Sequence, residues 1–370
     1  MTAPFRIGLE KRLDPPPYVR WLVPILSILV ALGFGAVVIG LAGADPIEAY
    51  LQILAGAFGS PAAWLDGEFY AVSETIVRTI PLILTGLAVA VAFRMRFWNI
   101  GAEGQLLLGA VAASGVALFV HAPAAVEMPL MFAAGFLAGG LWAALPAVLK
   151  LRLGVNDVLT TLMLNYVAAY LVGWLIHGPW RGKSAFGFAY SDRFPAGATL
   201  PLVPGTYVHW PTLLLALLAA LLVWLALERT PWGYRVRVIG DNPEAARYAH
   251  IPLFGVVFAA ALVSGGLAGL AGVGEVAGVH HRLLDAYQIS LGYGYTAIIV
   301  AWLARGNPLG AILTALFMGV IFASGDVMKL ALQMPFRVTD VFNGLILFFL
   351  ISSERLLYYR VRLARGRGED

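Results

Sequence analysis

The chain has 370 residues, of which 60% are hydrophobic and 12% charged, with a formal net charge of +4. A soluble protein carries about 25% charged residues, and the apolar residues here come in long runs, so the composition predicts an integral membrane protein. The chain has no cysteine, which excludes disulfides, thiol catalysis and cysteine-ligated metals. The basic residues lie at the ends of the apolar runs, which is typical of membrane topology, and we expect no nucleic-acid partner.

Ten apolar runs have about the length of a membrane-spanning helix. We therefore predict an all-α polytopic membrane protein. The predicted spans are 21–42, 74–93, 103–121, 128–149, 158–177, 211–227, 253–273, 288–304, 308–326 and 338–354. The third and eighth runs are short and glycine-rich or interrupted, a pattern typical of helices that break beside a cavity within the protein.

The basic residues also predict the orientation. With ten spans and the N-terminus inside, 18 of the 25 Lys and Arg residues fall on the cytoplasmic side, as the positive-inside rule requires. We therefore expect both termini in the cytoplasm. The predicted organisation is a cytoplasmic arm (1–20), one transmembrane domain (21–354) with an outer loop (178–210) and a cytoplasmic loop (228–252), and a basic cytoplasmic tail (355–370).

The cytoplasmic loop holds a polar and basic stretch, TPWGYRVRVIGDNPEAARYAHI at 230–251, between two long apolar runs. Its second half is predicted to be a short helix. Asp241 or Asn242 can act as the N-cap. Pro243 suits the first helical position, and Glu244 suits the positive end of the helix dipole. So short a helix is not stable alone in water, and we expect a partner to hold it.

Three polar clusters lie in or beside the apolar runs, where unpaired polar groups are costly. The first is FWNIGAEGQ at 97–105. One interpretation is a broken-helix element beside a permeation path. The other is structural, with Asn99 as a helix cap, Glu103 as a first-turn carboxylate at the membrane surface, and the glycines for close packing.

The second cluster is NDVLTTLMLNY at 156–166, in the fifth span. Asn156 or Asp157 is expected to be an N-cap. Asn165 lies well inside the span and shares a helical face with Thr161 and Ala168. Its amide needs a partner, and two roles stay open: lining a polar path or bonding to a neighbouring helix.

The third cluster is SGGLAGLAGVGEVAGVHH at 264–281. Gly265 and Gly269 have the spacing that predicts close helix approach. Glu275 and the adjacent histidines at 280–281 follow at the outer end. Adjacent histidines do not share a helical face, and no further ligands have metal spacing, so no metal site is predicted.

Signatures of catalysis are absent from the sequence. It contains no H-E-x-x-H, no G-x-S-x-G and no G-x-x-x-x-G-K-[ST] phosphate loop. We therefore predict no catalytic residues, and if transport is driven by ATP, this chain does not itself bind the nucleotide.

Four motifs together resemble a known family. NIGAEGQ (99–105), NDVLTTLMLNY (156–166), GDNPEAARYAHI (240–251) and NPLGA (307–311) are similar to motifs of the permease subunits of ATP-binding-cassette (ABC) importers. The chain resembles the ten-span family that serves simple sugars, branched-chain amino acids and nucleosides. It is most similar to the nucleoside-type permeases associated with basic-membrane-protein-like binding lipoproteins.

The resemblance implies that the helix at 240–251 is the coupling helix, which docks in a groove of a cytoplasmic ATPase. His250 departs from the family, where glycine usually precedes the isoleucine. We expect this departure to change local packing without abolishing docking. The implied coupling residues are Asp241, Asn242, Pro243, Glu244, Ala245, Ala246, Arg247 and Tyr248.

The resemblance also implies the partners. Two permeases, often different chains, pair in the inner membrane with two ATPase domains and an external substrate-binding protein, and substrate passes between the permeases. ATP and Mg²⁺ would be bound by the ATPase, and this chain would hold no cofactor. ATP binding and hydrolysis would move the coupling helix and so drive alternating access.

We expect six side chains to line or shape the path, so that a hydroxyl-rich substrate meets amides and an aromatic face. Two alternatives stay open: a sugar or branched-chain amino acid permease of the same architecture, and an ion-coupled secondary transporter, which would need essential mid-membrane carboxylates. The six path residues are Asn99, Glu103, Gln105, Thr161, Asn165 and Tyr166.

Overall fold

The computed structural model describes residues 5–11, 16–41, 43–120, 122–183, 187–330 and 359–365, with 341, 344–345, 348–349 and 352–353. They belong to two units, one of Leu54–Ser324 and one of Met1–Ile53 with Gly325–Asp370. The elements in chain order are β1 (Phe5–Lys11), α1 (Pro17–Leu41), α2 (Pro46–Phe58), α3 (Pro61–Leu65), α4 (Tyr70–Phe93), α5 (Ala102–Phe119), α6 (Ala124–Leu153), α7 (Asp157–His177), α8 (Trp210–Arg229), α9 (Pro231–Asp241), α10 (Pro243–Tyr248), α11 (Leu253–Gly274), a π-helix (Glu275–His280), α12 (Ala286–Ser290), α13 (Tyr293–Leu303), α14 (Pro308–Leu330) and β2 (Tyr359–Arg365).

The two strands form an antiparallel ribbon in the smaller unit. Phe5 lies opposite Arg365, and Lys11 lies opposite Tyr359. This ribbon departs from the all-α prediction. It forms because the arm and the tail supply each other with backbone hydrogen-bond partners. The tenth predicted span, 338–354, falls largely outside the described residues.

Six of the described helices are long and apolar enough to cross a membrane, and a bent pair within Ile25–Leu65 offers a seventh candidate. The six helices are α4, α5, α6, α7, α8 and α11 with its π-helical end. They coincide with the second to seventh predicted spans. The chain is therefore a multi-pass helical membrane protein, and the count of ten stays a prediction.

The eighth predicted span is broken, as expected. Leu291 and Gly292 have φ of 44° and 80°, and this left-handed pair ends α12 and starts α13 in a new direction. The expectation of a break in the third span is wrong, because α5 runs without interruption from Ala102 to Phe119. Its irregular segment comes before the helix, at 94–101.

Three α-helices of the described residues fall outside the predicted helices: α2 and α3 after the first predicted span, and α9 in the predicted cytoplasmic loop. Each begins with a proline, whose fixed φ suits the first helical position. The Ser60 hydroxyl accepts the N–H of Ala63 at the start of α3, and the Thr230 hydroxyl accepts the N–H of Gly233 at the start of α9.

Glycines let α6 and α11 touch backbone to backbone. A β-carbon on Gly265 would lie 2.2 Å from the Gly139 carbonyl oxygen, and one on Gly269 would lie 2.2 Å from that of Gly135. Only glycine fits such a crossing. The predicted close approach at Gly265 and Gly269 is thereby confirmed.

Candidate translocation and coupling sites

The predicted path residues Asn99 and Gln105 bond to each other inside the protein. Each amide donates to the carbonyl oxygen of the other, at 2.9 and 2.8 Å. Asn99 also donates to the Ser264 hydroxyl at 2.9 Å, and Ser264 donates to the Ala88 carbonyl at 2.6 Å. The pair therefore ties the 94–101 segment to α5, α11 and α4.

Asn165 bonds to a neighbouring segment. Its amide donates to the Ile100 carbonyl, and its carbonyl accepts the N–H of Gly104, each at 2.9 Å. Thr161, on the same face of α7, donates to the Asp157 carbonyl at 2.7 Å. Of the two roles left open for Asn165, the geometry favours bonding across helices.

The Glu103 side chain is buried. It is 7% exposed, and its carboxylate accepts the backbone N–H of Gly294 at 2.8 Å. It also interacts with the Ser290 hydroxyl and the backbone N–H of Tyr295. The carboxylate thus faces the positive N-terminal end of the half-helix α13. Glu103 is a first-turn carboxylate of α5, as the structural interpretation expects, but its side chain is buried in the protein.

The start of α7 is held by two different residues. Asn156 is the N-cap and accepts the N–H groups of Val158 and Leu159. Asp157 has another role: it accepts the N–H of Trp98 at 2.7 Å and pairs with Lys150 at 2.6 Å. This ion pair fixes the 94–101 segment against α6 and α7.

Tyr166 is separated from the other five path residues. It is 53% exposed, whereas Asn99, Glu103, Gln105, Thr161 and Asn165 are buried. Tyr166 belongs to an exposed, aromatic-rich face of α7, since helical neighbours three and four residues apart share a side. The exposed residues of this face are Leu159, Met163, Tyr166, Val167, Tyr170 and Trp174.

The predicted coupling helix exists as α10. Asn242 is its N-cap and accepts the N–H groups of Glu244 and Ala245 at 3.0 and 3.2 Å. Asp241, the other candidate cap, is the last residue of α9. Within α10 only Ala246 is buried, and Tyr248 is 86% exposed. All of the predicted coupling residues except Ala246 are therefore exposed.

A network of charged residues joins the loop at 228–252 to the ends of the membrane helices. Arg94, after α4, pairs with Glu228 of α8 at 3.0 Å and donates to the Gly306 carbonyl at 3.1 Å. Glu228 also pairs with Arg237 of α9 at 3.5 Å. A β-carbon on Gly240 would lie 2.0 Å from the Arg94 carbonyl oxygen, so α9 packs directly on the end of α4.

His250 has a left-handed backbone, with φ of 53°. The Ile251 N–H bonds back to the Ala246 carbonyl at 3.0 Å, which closes the end of α10 in the manner of a Schellman motif. Glycine adopts this conformation without strain, and histidine does so at a cost. This conformation gives the physical reason why glycine suits the position.

A second buried polar cluster, around the π-helix, was not predicted. Arg78 pairs with Glu74 at 2.7 Å and donates to the Tyr293 hydroxyl at 3.4 Å. Glu275, 2% exposed, interacts electrostatically with Arg78. The sequence feature that could have predicted this cluster is the Glu-x-x-x-Arg pair inside the second apolar run. π-Helical segments are frequent at functional sites.

His209 packs against this π-helix just before α8 begins. A β-carbon on Gly278 would lie 2.6 Å from the His209 ring. Neither ring nitrogen has a hydrogen-bond partner among the described residues. Burial lowers the pKa of His209 to about 4. Nowhere in the described ranges do three His, Asp or Glu side chains group as metal ligands would.

These features define a class: a multi-pass helical membrane protein with a buried polar network and an exposed polar helix at one end of its membrane helices. Residues 71–351 match the family described as the permease component of the branched-chain amino acid transport system. The chain belongs to that family.

Three relatives refine this assignment. The chain is 37% identical to the glucose ABC transporter permease protein TsgB13 of Haloferax volcanii, covering 98% of this chain and 97% of that protein. It is 32% identical to the guanosine ABC transporter permease protein NupP of Bacillus subtilis, covering 94% and 96%. It is 26% identical to NupQ, another guanosine permease of that bacterium, covering 67% and 79%. The resemblance to ABC permeases is confirmed, and the chain is a transport subunit.

Proposed function

We propose that the chain is the nucleoside-transporting permease of an ATP-driven importer in the inner membrane. The similarity to NupP and NupQ, both named for guanosine, supports this substrate class. Simple sugars are the second candidate, supported by the 37% identity to a glucose permease. Both substrate classes are rich in hydroxyls and suit a path with aromatic and amide groups.

The exposure of α10 carries the coupling part of the proposal. A six-residue helix with one buried side chain is not stable in isolation, and a groove in an ATPase would hold it. ATP and Mg²⁺ would be bound by that ATPase. The Arg94–Glu228–Arg237 network offers a route from α9 and α10 to α4, α8 and the turn before α14.

The exposed face of α7 is our candidate for the path between two permeases. Tyr166, Tyr170 and Trp174 present rings on which a base or a sugar face could stack. The buried network of Asn99, Gln105 and Asn165 would shape this path by holding α7, without touching substrate. The occurrence of NupP and NupQ in one bacterium supports a second, different permease as the partner.

We also propose ten spans with both termini in the cytoplasm. Pairing of Phe5–Lys11 with Tyr359–Arg365 supports an even number of spans, because paired strands lie on the same side of the membrane. The basic residues of the stretch at 230–251 and of the tail support the cytoplasmic side. An external substrate-binding protein would deliver the nucleoside.

Co-purification from native membranes tests the coupling. A P-loop ATPase should accompany the tagged wild type and be lost from Glu244→Lys/Arg247→Glu. The charge-swap control Glu68→Lys/Lys183→Glu, at exposed sites outside the cytoplasmic loop, should retain it. If no ATPase co-purifies and the purified protein alone moves solute in vesicles, the proposal is wrong.

Uptake in cells lacking other nucleoside importers tests the substrate. Labelled guanosine should enter saturably, and excess unlabelled adenosine should compete while excess glucose should not. Saturable uptake of glucose that guanosine leaves unchanged would transfer the assignment to sugars.

A further inference from the structure

A deep apolar groove lies between α8 and α11, on the larger unit. Its volume is about 530 Å³. Leu218 and Leu222 of α8 are more than half exposed along it, whereas Leu267 and Leu270 of α11 are buried in its floor. All of its lining residues are apolar: Val91, Phe136, Leu215, Leu218, Ala219, Leu222, Val223, Ala226, Trp232, Ala259, Val263, Leu267 and Leu270.

The length of the groove matches one leaflet of a bilayer. Its lining on α8 runs from Leu215 to Ala226, roughly 16 Å at about 1.5 Å per residue. The hydrocarbon core of a membrane is about 30 Å thick, so the groove spans about half of it. The half that it spans adjoins α9, because Trp232 of α9 is one of its lining residues.

Two arginines follow the lining residues nearest that end. Arg229 comes three positions after Ala226 on α8, and Arg235 comes three positions after Trp232 on α9, so the α-carbon of each lies within one helical turn of a lining residue. Both are exposed. Within the described part of the chain neither has an ion pair with a carboxylate, although Arg229 stacks on the Trp224 ring at 5.5 Å. Aromatic and basic residues in this order are typical of the headgroup region.

We propose that the groove binds one anionic phospholipid from the leaflet on the side of α9 and α10. An acyl chain would lie between α8 and α11, and the phosphate would meet Arg229 and Arg235. The lipid would pack against Trp232, which starts the segment leading to α10. This site is independent of the substrate and of the ATPase.

Quenching by lipids with brominated acyl chains tests the proposal on the full-length protein in detergent. The emission of Trp232 is obtained as the difference between wild type and Trp232→Phe. Brominated phosphatidylglycerol should quench this emission saturably. Its mole fraction at half-maximal quenching should be about fivefold or more below that of brominated phosphatidylcholine. Arg229→Gln/Arg235→Gln should remove this preference.

Groove-filling variants provide the structural control. Ala219→Phe/Ala259→Phe should abolish the saturable quenching of Trp232. The matched variant Leu221→Phe, on an exposed part of α8 outside the groove, should retain it. If the filled variants do not fold, the wild-type titration and the arginine variants decide.

Three results would overturn the proposal. Quenching that rises linearly and equally for both lipids would mean ordinary bilayer contact. No quenching of Trp232 would mean that a protein segment covers the groove. Saturable quenching that survives Ala219→Phe/Ala259→Phe would place the lipid elsewhere.

Discussion

The carboxylate of Glu103 on α5 accepts the backbone N–H of Gly294 on α13 at 2.8 Å. A β-carbon on Gly294 would lie 2.2 Å from the backbone nitrogen of Glu103, so the two helices meet backbone to backbone at this point. A broken span leaves unpaired N–H groups within the protein, and Glu103 satisfies one of them. This contact explains why the helix can break between α12 and α13.

Glu103→Ala should lower the free energy of unfolding by about 1–3 kcal/mol, because the N–H of Gly294 would be buried without a partner. Glu103→Gln keeps an acceptor oxygen and should cost less. Thermal unfolding in detergent measures both, with the exposed Glu68→Ala as control. Equal unfolding midpoints for Glu103→Ala and Glu68→Ala would contradict the assigned role.

Asn165 and Tyr166 are adjacent but should behave differently. Asn165→Ala removes the hydrogen bonds to Ile100, Gly104 and the Tyr295 hydroxyl and should cost about 1–3 kcal/mol of stability. Tyr166→Ala, on the exposed face, should leave stability within about 0.5 kcal/mol and reduce uptake. Measuring the unfolding midpoint and the guanosine uptake of both variants distinguishes a residue that stabilises the fold from one that lines the path. If Asn165→Ala unfolded like wild type and reduced only uptake, Asn165 would belong to the path.

Asn242→Ala should weaken coupling, because it removes the cap of α10. Loss of such a cap costs about 0.5–2 kcal/mol of local helix stability. The measurement is retention of the ATPase at increasing salt concentration during purification. Asn156→Ala, which removes the N-cap of α7 and leaves that of α10, is the matched control, and an equal loss of ATPase in both variants would argue against a specific role of the α10 cap.

His250→Gly should stabilise the protein by about 1 kcal/mol, since glycine adopts the left-handed backbone without strain. The neighbouring Ala249 has a φ of −78°, so Ala249→Gly relieves no strain and should be neutral or destabilising. Unfolding midpoints compare the two variants. ATPase retention should survive His250→Gly, and stabilisation by both substitutions would refute the backbone argument.

His209 should make stability fall in mild acid. Its pKa is about 4 in the folded protein and about 6.5 when unfolded, so between these values the unfolded state binds more protons. The contribution of His209 to the free energy of unfolding is therefore fully present above pH 6.5. It is lost as the pH falls towards 4, which lowers the free energy of unfolding by about 3 kcal/mol in all. The decline in unfolding midpoint should be smaller in His209→Leu, and identical profiles for the two proteins would contradict the prediction.

Several features of this protein follow from sequence alone. Six predicted spans coincide with helices, because apolar length and composition are local properties that the bilayer selects. The start of α10 at Pro243 was predictable, since capping and helix dipole effects act within one turn. The close crossing at Gly265 and Gly269 was also predictable from spacing on one helix face.

The tertiary structure decided the partners of the buried polar groups. From the sequence, Asn99 could have capped a helix or belonged to an element beside a path, and Asn165 could have lined a path or bonded to a neighbouring helix. Their partners, Ser264 and Ile100, lie 165 and 65 positions away along the chain. A buried amide or carboxylate must be paired somewhere, but only helix packing determines with which group. For that reason the need for partners was readable in the sequence, and the network itself was not.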